Sequence, residues 1–257
     1  MAVGRNGRFS LEAFRHESLS EVGSTNSECL ARARAGDSGL LWVTADRQTA
    51  GRGRRGRSWM SEPGNLYASL LMLDPAPPHL VGSLPLAVAV AVHGAIRSVL
   101  PAGAPALEVK WPNDILIGRA KTCGILIEGE IMPNSRHALV VGIGINIQHM
   151  PDNAPYGVTR LADHRAGVSA QEVFAHLYRE MAEVLELWNE GQGTREVTRR
   201  WRSIACGIGE NITVNLPERS LVGRFAGIND DGFLQLETKD GIMLPIAAGD
   251  VFFHGSE

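Results

Sequence analysis

Between Ser83 and Leu100 the sequence SLPLAVAVAVHGAIRSVL is apolar nearly all round. That pattern predicts a buried helix, with Ser83 as N-cap and Pro85 in the first turn, where its missing N–H does no harm. In SAQEVFAHLYREMAEVLELWNEG, apolar residues recur at Val173, Phe174, Leu177, Tyr178, Met181, Val184, Leu185 and Trp188 behind a Ser169/Glu172 capping box, the stripe of an amphipathic helix. A further helix, TREVTRRWRSIA, follows the Gly191/Gly193 break, and a helical run follows Ser24 to Asn26. The segments LLWVTADRQ, NLYASLLML, ALEVKW, GILIEGEI and ALVVGIGINI are short, apolar or β-branched, and flanked by Gly, Pro, Asn or Asp, which predicts strands of a mixed sheet. After Gly207 the rhythm changes to NITVNL, LVGRFAGI, FLQLET and IMLPIA separated by turn residues, the pattern of a small barrel.

A chain of 257 residues can form one large domain or a core domain plus a small one, and the change of rhythm favours the second, divided as 1–206 and 207–257. Hydrophobic residues at 44% and charged residues at 21% are ordinary for a globular protein. A net charge of −3 argues against a surface built throughout to neutralise nucleic-acid phosphate. Cys29, Cys123 and Cys206 are far apart and form no CxxC, which suits a reducing, cytoplasmic compartment. Cys123 is expected to pack as a small apolar residue. The opening residues carry no apolar signal core, and the apolar stretch Leu84 to Val92 reads as too short to span a bilayer, so no membrane role is expected.

Candidate chemistry is concentrated in a few segments. In QTAGRGRRGRSWMSEPGNLYAS, Gln48 to Ser69, glycines alternate with four arginines. Such a loop brings bare backbone N–H groups and guanidinium forks together, as an anionic ligand requires. A basic nucleic-acid patch is the competing reading of RGRRGR, at even odds for the run by itself. A Walker-type phosphate loop is absent. In LEVKWPNDILIGRAKTCGILIEGE, Lys110, Asn113, Asp114 and Lys121 surround a Pro-containing loop, a set that suits adenylation: lysines offset carboxylate and α-phosphate charge, Asn113 can read a base edge or sugar, and Asp114 can bind Mg²⁺ or orient a lysine. VVGIGINI carries Gly142, Gly144 and Asn146; the glycines suit close backbone packing as well as function, while an amide in an apolar run must find a partner. In EVGSTNSE, Ser24, Thr25 and Asn26 can cap a helix and also serve a urea-like group.

The motifs GSTN, QTAGRGRRGRSW, KWPNDI, KTCGILIE and VVGIGINI stand in the order found in biotin protein ligases, and the chain resembles that family closely from Glu21 to Asn146. The resemblance implies an α/β fold: a class II aminoacyl-tRNA synthetase-like catalytic domain with a mixed sheet, followed by an SH3-like β-barrel. It implies activation of biotin by Mg·ATP to biotinyl-5′-AMP and transfer to a lysine of a biotin carboxyl carrier protein. No tightly bound prosthetic group is expected. It places Ser24, Thr25, Asn26, Gln48, Gly51, Arg52, Gly53, Arg54, Trp111, Lys121 and Gly124 around biotin. Arg54, Arg57, Trp59, Asn113 and Asn146 would contact ATP or the adenylate. Arg54, Lys110 and Lys121 would stabilise charge in catalysis, and Asp114 would be the carboxylate associated with Mg²⁺.

The arginine loop is expected to open without ligand, because glycines ease local opening and four like charges repel. Repressor-type members of the family carry a helix-turn-helix module, for which the residues ahead of Gly23 are too few, so operator DNA is not an expected partner. A homodimer is compatible with the sequence. Two rivals remain at this point: a lipoate or octanoate ligase or transferase of the same fold, and an RNA-binding module gripping single strands through the arginine loop.

Overall fold

The computed structural model describes residues 7–133 and 135–253. Seven strands form a mixed sheet: β1 (Arg15–Val22), β2 (Leu41–Gln48), β3 (Leu66–Leu73), β4 (Leu107–Lys110), β5 (Asp114–Ile117), β6 (Ala120–Ile131) and β7 (His137–Ile145). Their order is β1-β2-β3-β7-β6-β5-β4; β1 and β2 are parallel and every other neighbouring pair is antiparallel. Four helices complete this part: α1 (Thr25–Arg34), α2 (Leu84–Val99), α3 (Ala170–Trp188) and α4 (Thr194–Ile204).

β3 is buried along its whole length because both faces of the sheet are covered. Leu66, Ala68, Leu70 and Met72 join the main core with α2 and α3, whereas Leu71 and Leu73 meet Cys29 and Ala33 of α1. Successive side chains point to opposite faces, so one apolar strand serves both layers. α3 follows its apolar stripe, and Ser169 Oγ accepts from the Glu172 backbone N–H at 3.1 Å. The reciprocal half of the capping box is replaced, since the Glu172 carboxylate pairs with Arg165 at 2.7 Å.

Three details depart from the sequence expectations. Ser83 makes no side-chain cap; its hydroxyl accepts from Trp188 Nε1 at 2.8 Å and lies 2.9 Å from Thr194 Oγ1, tying α2 to α3 and α4. Pro85 does not interrupt the apolar run. With the 3-10 turn before α2, Val81–Val99 is long and apolar enough to cross a membrane, yet α2 lies in the core against α3 and α4. Strands β1 and β5 were not among the expected ones.

After Gly207 a second sheet forms from β8 (Asn211–Asn215), β9 (Ser220–Ile228), β10 (Leu234–Glu237), β11 (Met243–Ile246) and β12 (Asp250–Phe253), all antiparallel, in the order β11-β10-β9-β8-β12. It is the SH3-like unit, with one more strand than the four expected. Its core residues Phe225, Leu234 and Val251 belong to the same apolar cluster as α2 and β3. Trp111 Nε1 donates to the Gly232 carbonyl at 3.3 Å, a second tie between the two sheets.

Candidate active site

The arginine loop leaves β2 at Gln48 and returns on itself: Trp59 N–H donates to the Gly51 carbonyl at 2.9 Å and Gly53 N–H to the Arg57 carbonyl at 2.7 Å. Its tip is a 3-10 turn in which Arg55 (φ 56°) and Gly56 (φ 71°) are both left-handed. Such backbone is accessible to glycine at little cost, which explains Gly56 at the turn. The expected repulsion is answered by two carboxylates. Arg52 pairs with Glu128 of β6 at 3.1 Å. Arg55 and Arg57 pair with Asp250 of β12 at 3.1 and 2.8 Å, and Arg54 lies 3.8 Å from it. The loop is therefore folded down, with its arginines paired to carboxylates of both sheets.

Below the loop lies a polar nest. The backbone N–H of Thr25 donates to Gln48 Oε1 at 2.9 Å, with Thr25 Oγ1 3.1 Å from the same oxygen. Ser69 Oγ stands 2.7 Å from Thr25 Oγ1 and 2.6 Å from Asn26 Oδ1, and Asn26 Nδ2 donates to Glu128 at 2.7 Å. Ser24, Thr25 and Asn26 are all buried. This is possible because α1 begins at Thr25, directly against β3 and β7. Gly142 of β7 gives Asn26 its room, since a Cβ there would lie 2.3 Å from Asn26 Oδ1.

The charged wall comes from the β4–β5 hairpin and β6. Register places Lys110 opposite Asp114 and Asp114 opposite Gly124. Lys121 Nζ is 2.7 Å from Asp114 Oδ1 and stacks over Trp59 and Tyr156, 5.6 Å from each ring centre. Lys110 Nζ lies over Phe252 and Phe253 of β12. Asn113 is held at both ends, accepting from Arg54 at 2.8 Å and donating to the Ile125 carbonyl at 2.6 Å. The Trp59 indole lies across the paired Gly124 and Gly144, and its Nε1 is buried without a partner.

One cleft gathers Ser24, Thr25, Asn26, Gln48, Arg52, Gly53, Arg54, Arg57, Trp59, Lys110, Trp111, Asn113, Asp114, Lys121 and Gly124. Gly51 and Asn146 are not on its wall. Gly51 packs behind the loop, where a Cβ would lie 2.6 Å from Ser61 Oγ. Asn146 finds the partner its burial demands elsewhere, donating to the Thr159 carbonyl at 3.2 Å. Residues that sequence reasoning missed also line the cleft: Tyr67, Arg119, Tyr156 and the Asp250–Phe253 strand.

Six cations line this cleft (Arg52, Arg54, Arg57, Lys110, Arg119 and Lys121) against two carboxylates, Asp114 and Asp250. Burial lowers the pKa of Arg54, with Asp250 opposing it, and lowers that of Lys110, with Asp114 opposing it. Burial thus disfavours the charged forms of both side chains, and an anion entering beside them would favour those forms. Among the described residues no cluster of three His, Cys, Asp or Glu could hold a metal. Asp114 has one oxygen 2.7 Å from Lys121 Nζ.

A mixed sheet thus carries a neutral polar nest beside a cation-lined cleft, with the barrel strand Asp250–Phe253 along its rim, an arrangement that suits a ligand with one neutral and one anionic end. The signature of the Biotin/lipoate A/B protein ligase family covers residues 31–146, and that of the Biotin protein ligase C terminal domain covers residues 207–254. The chain is 33% identical over 249 residues to the biotin–[acetyl-CoA-carboxylase] ligase of Paracoccus denitrificans, covering 92% of this chain and 100% of that one. It is 32% identical over 240 residues to the bifunctional ligase/repressor BirA of Bacillus subtilis, covering 88% of this chain and 70% of the relative. The solved biotin protein ligase from Aquifex aeolicus in complex with biotin and ATP matches with a TM-score of 0.79 at 28% identity, over 94% of this chain and 99% of that chain. The chain belongs to the biotin protein ligase family.

Proposed function

We propose that this chain joins biotin to ATP in the cleft between the two sheets and transfers the biotinyl group to a lysine of a biotin carboxyl carrier protein. The observation that carries the reading is the contact of two unlike environments: the neutral Thr25–Gln48–Ser69–Asn26 nest, suited to a ureido group, opens into the cation-lined wall, suited to a carboxylate and phosphates. A biotin carboxylate oxygen attacks the α-phosphorus of ATP, the bond to pyrophosphate breaks, and biotinyl-5′-AMP forms. Arg54, Lys110 and Lys121 offset the charge that gathers on the phosphate oxygens. Arg57, Trp59 and Asn113 complete the adenylate pocket, Asn113 by orienting Arg54. Magnesium bound through Asp114 would neutralise the phosphates.

In the second step the neutral amine of the acceptor lysine attacks the acyl carbon, AMP leaves, and the amine gives up a proton. No covalent bond to the enzyme is needed. The Arg52–Glu128 pair ties the loop to β6 beside the nest, and a loop held there would limit the access of water to the mixed anhydride. Residues 1–206 are read as the catalytic unit and 207–257 as the unit that closes the nucleotide end of the cleft. Three buried free thiols suit the reducing cytoplasm. The test is mass spectrometry of a carrier domain incubated with enzyme, Mg·ATP and biotin, lipoate or octanoate. A biotinyl addition confined to the acceptor lysine is expected. Modification by lipoate or octanoate in preference to biotin would overturn the substrate.

A further inference from the structure

Among the described residues, the barrel meets the arginine loop through one acidic side chain. Asp250 is the first residue of β12, and its side chain is only 15% exposed. Arg57 and Arg55 meet its carboxylate at 2.8 and 3.1 Å, with Arg54 at 3.8 Å. Neighbouring backbone joins in: Arg54 Nη2 donates to the Gly249 carbonyl at 3.1 Å and Arg55 Nη2 to the Asn215 carbonyl at 3.2 Å. Asp250 pairs with Asn215 across β12 and β8, so these acceptors form one rim. The fourth arginine, Arg52, turns to Glu128 on the other sheet.

A guanidinium has five N–H donors. Arg54 spends one on Asn113 and one on Gly249, and Arg57 one on Asp250. Donors remain for phosphate oxygens while the contacts to the barrel persist. The acidic residue therefore need not leave when an anion arrives. Its carboxylate sets a negative charge among three neighbouring cations whose mutual repulsion would otherwise disperse them.

We propose that Asp250 is a positioning residue for adenylation: with Arg55 braced beside them, it gathers Arg54 and Arg57, which line the cleft, into one anion-binding surface before ATP arrives. The inference rests on reading Arg54 and Arg57 as phosphate contacts. Without the Asp250 charge, ATP itself must order the loop, and that ordering appears as weaker ATP binding.

The experiment uses the full chain and compares wild type with Asp250→Asn, Asp250→Glu and Arg55→Gln. Biotin-dependent pyrophosphate exchange gives KM for ATP, KM for biotin and kcat, and trypsin reports opening of the ligand-free loop. For Asp250→Asn, a rise of about tenfold in KM for ATP is expected, with kcat within about twofold. KM for biotin should stay unchanged, trypsin should cut the free loop faster, and ATP should restore protection. Asp250→Glu should recover most of the loss, and Arg55→Gln should move the same two readouts by less.

An unchanged or lowered KM for ATP in Asp250→Asn would overturn the proposal, the lowered value marking Asp250 as a mere competitor for the arginines. If Asp250→Asn loses cooperative melting, Arg55→Gln carries the test from the loop side, and unchanged trypsin and KM values there overturn it. Failure of the underlying site reading looks different: exchange by Arg54→Ala would then equal wild type, whatever trypsin reports for Asp250→Asn.

Discussion

Gly142 is a residue whose function is the space it leaves. A methyl there would sit 2.3 Å from Asn26 Oδ1, and the contact can be relieved only by moving a side chain already held by Ser69 and Glu128. Gly142→Ala should raise KM for biotin about tenfold, a loss of ~1.4 kcal/mol, with a much smaller change in KM for ATP. Equal changes in both constants would contradict the separation of the two environments. Most cleft residues were legible because their chemistry sits in compact motifs: Lys110, Asn113, Asp114 and Lys121 share one hairpin and its neighbour strand. Glu128 and Asp250 were not, since a lone acidic residue in a strand looks like a solvated charge until the fold sets an arginine against it. Asn65 escaped for another reason. Its Oδ1 accepts from the backbone N–H groups of Ile147, Gln148 and His149, and only the returning chain after β7 reveals that role.

The elements most plainly written in the sequence are those with strong periodicity. α3 ends in Trp188, and its Met181 is fully buried in the main core. Met181→Ala should cost about 2–5 kcal/mol in urea unfolding, the range for a large core truncation, and a cost under ~1 kcal/mol would contradict that packing. β1, β5 and β12 were harder to read. β1 is an edge strand whose RHESLSEV is mostly exposed, β5 follows the KWPN turn without a gap, and β12 has only four residues. None offers the long apolar run or strict alternation that a lone sequence needs.

α2 also carries a pH signal. His93 Nε2 lies 3.1 Å from the Leu107 carbonyl oxygen of β4, and burial lowers the His93 pKa below its ordinary 6.5. The unfolded chain then binds a proton that the folded one refuses, so folding stability falls as pH drops below 6.5. His93→Gln removes this contribution. Its stability should fall less than that of wild type between about pH 6.5 and 5, with the two parallel above about pH 7. Identical acid slopes in urea titrations would contradict the assignment.

At the scale of the molecule the two sheets share one apolar cluster, in which Phe225, Leu234 and Val251 join the residues around α2. Calorimetry should therefore show a single cooperative transition, and two separable ones would contradict that continuity. The sequence announced a second unit through its change of rhythm but not how it docks. The docking depends on residues distant in sequence, Asp250 against the arginine loop and Phe252 and Phe253 against Lys110.

The most direct test of the whole account is biotin-dependent exchange of labelled pyrophosphate into ATP by wild type, Arg54→Ala and Lys121→Ala. Exchange in wild type that is slowed at least about a hundredfold by either substitution is predicted, the scale expected when a preorganised charge partner of the transition state is lost. Undiminished exchange in both variants would contradict the placement of the reaction in this cleft, and no biotin-stimulated exchange at all would contradict adenylation itself.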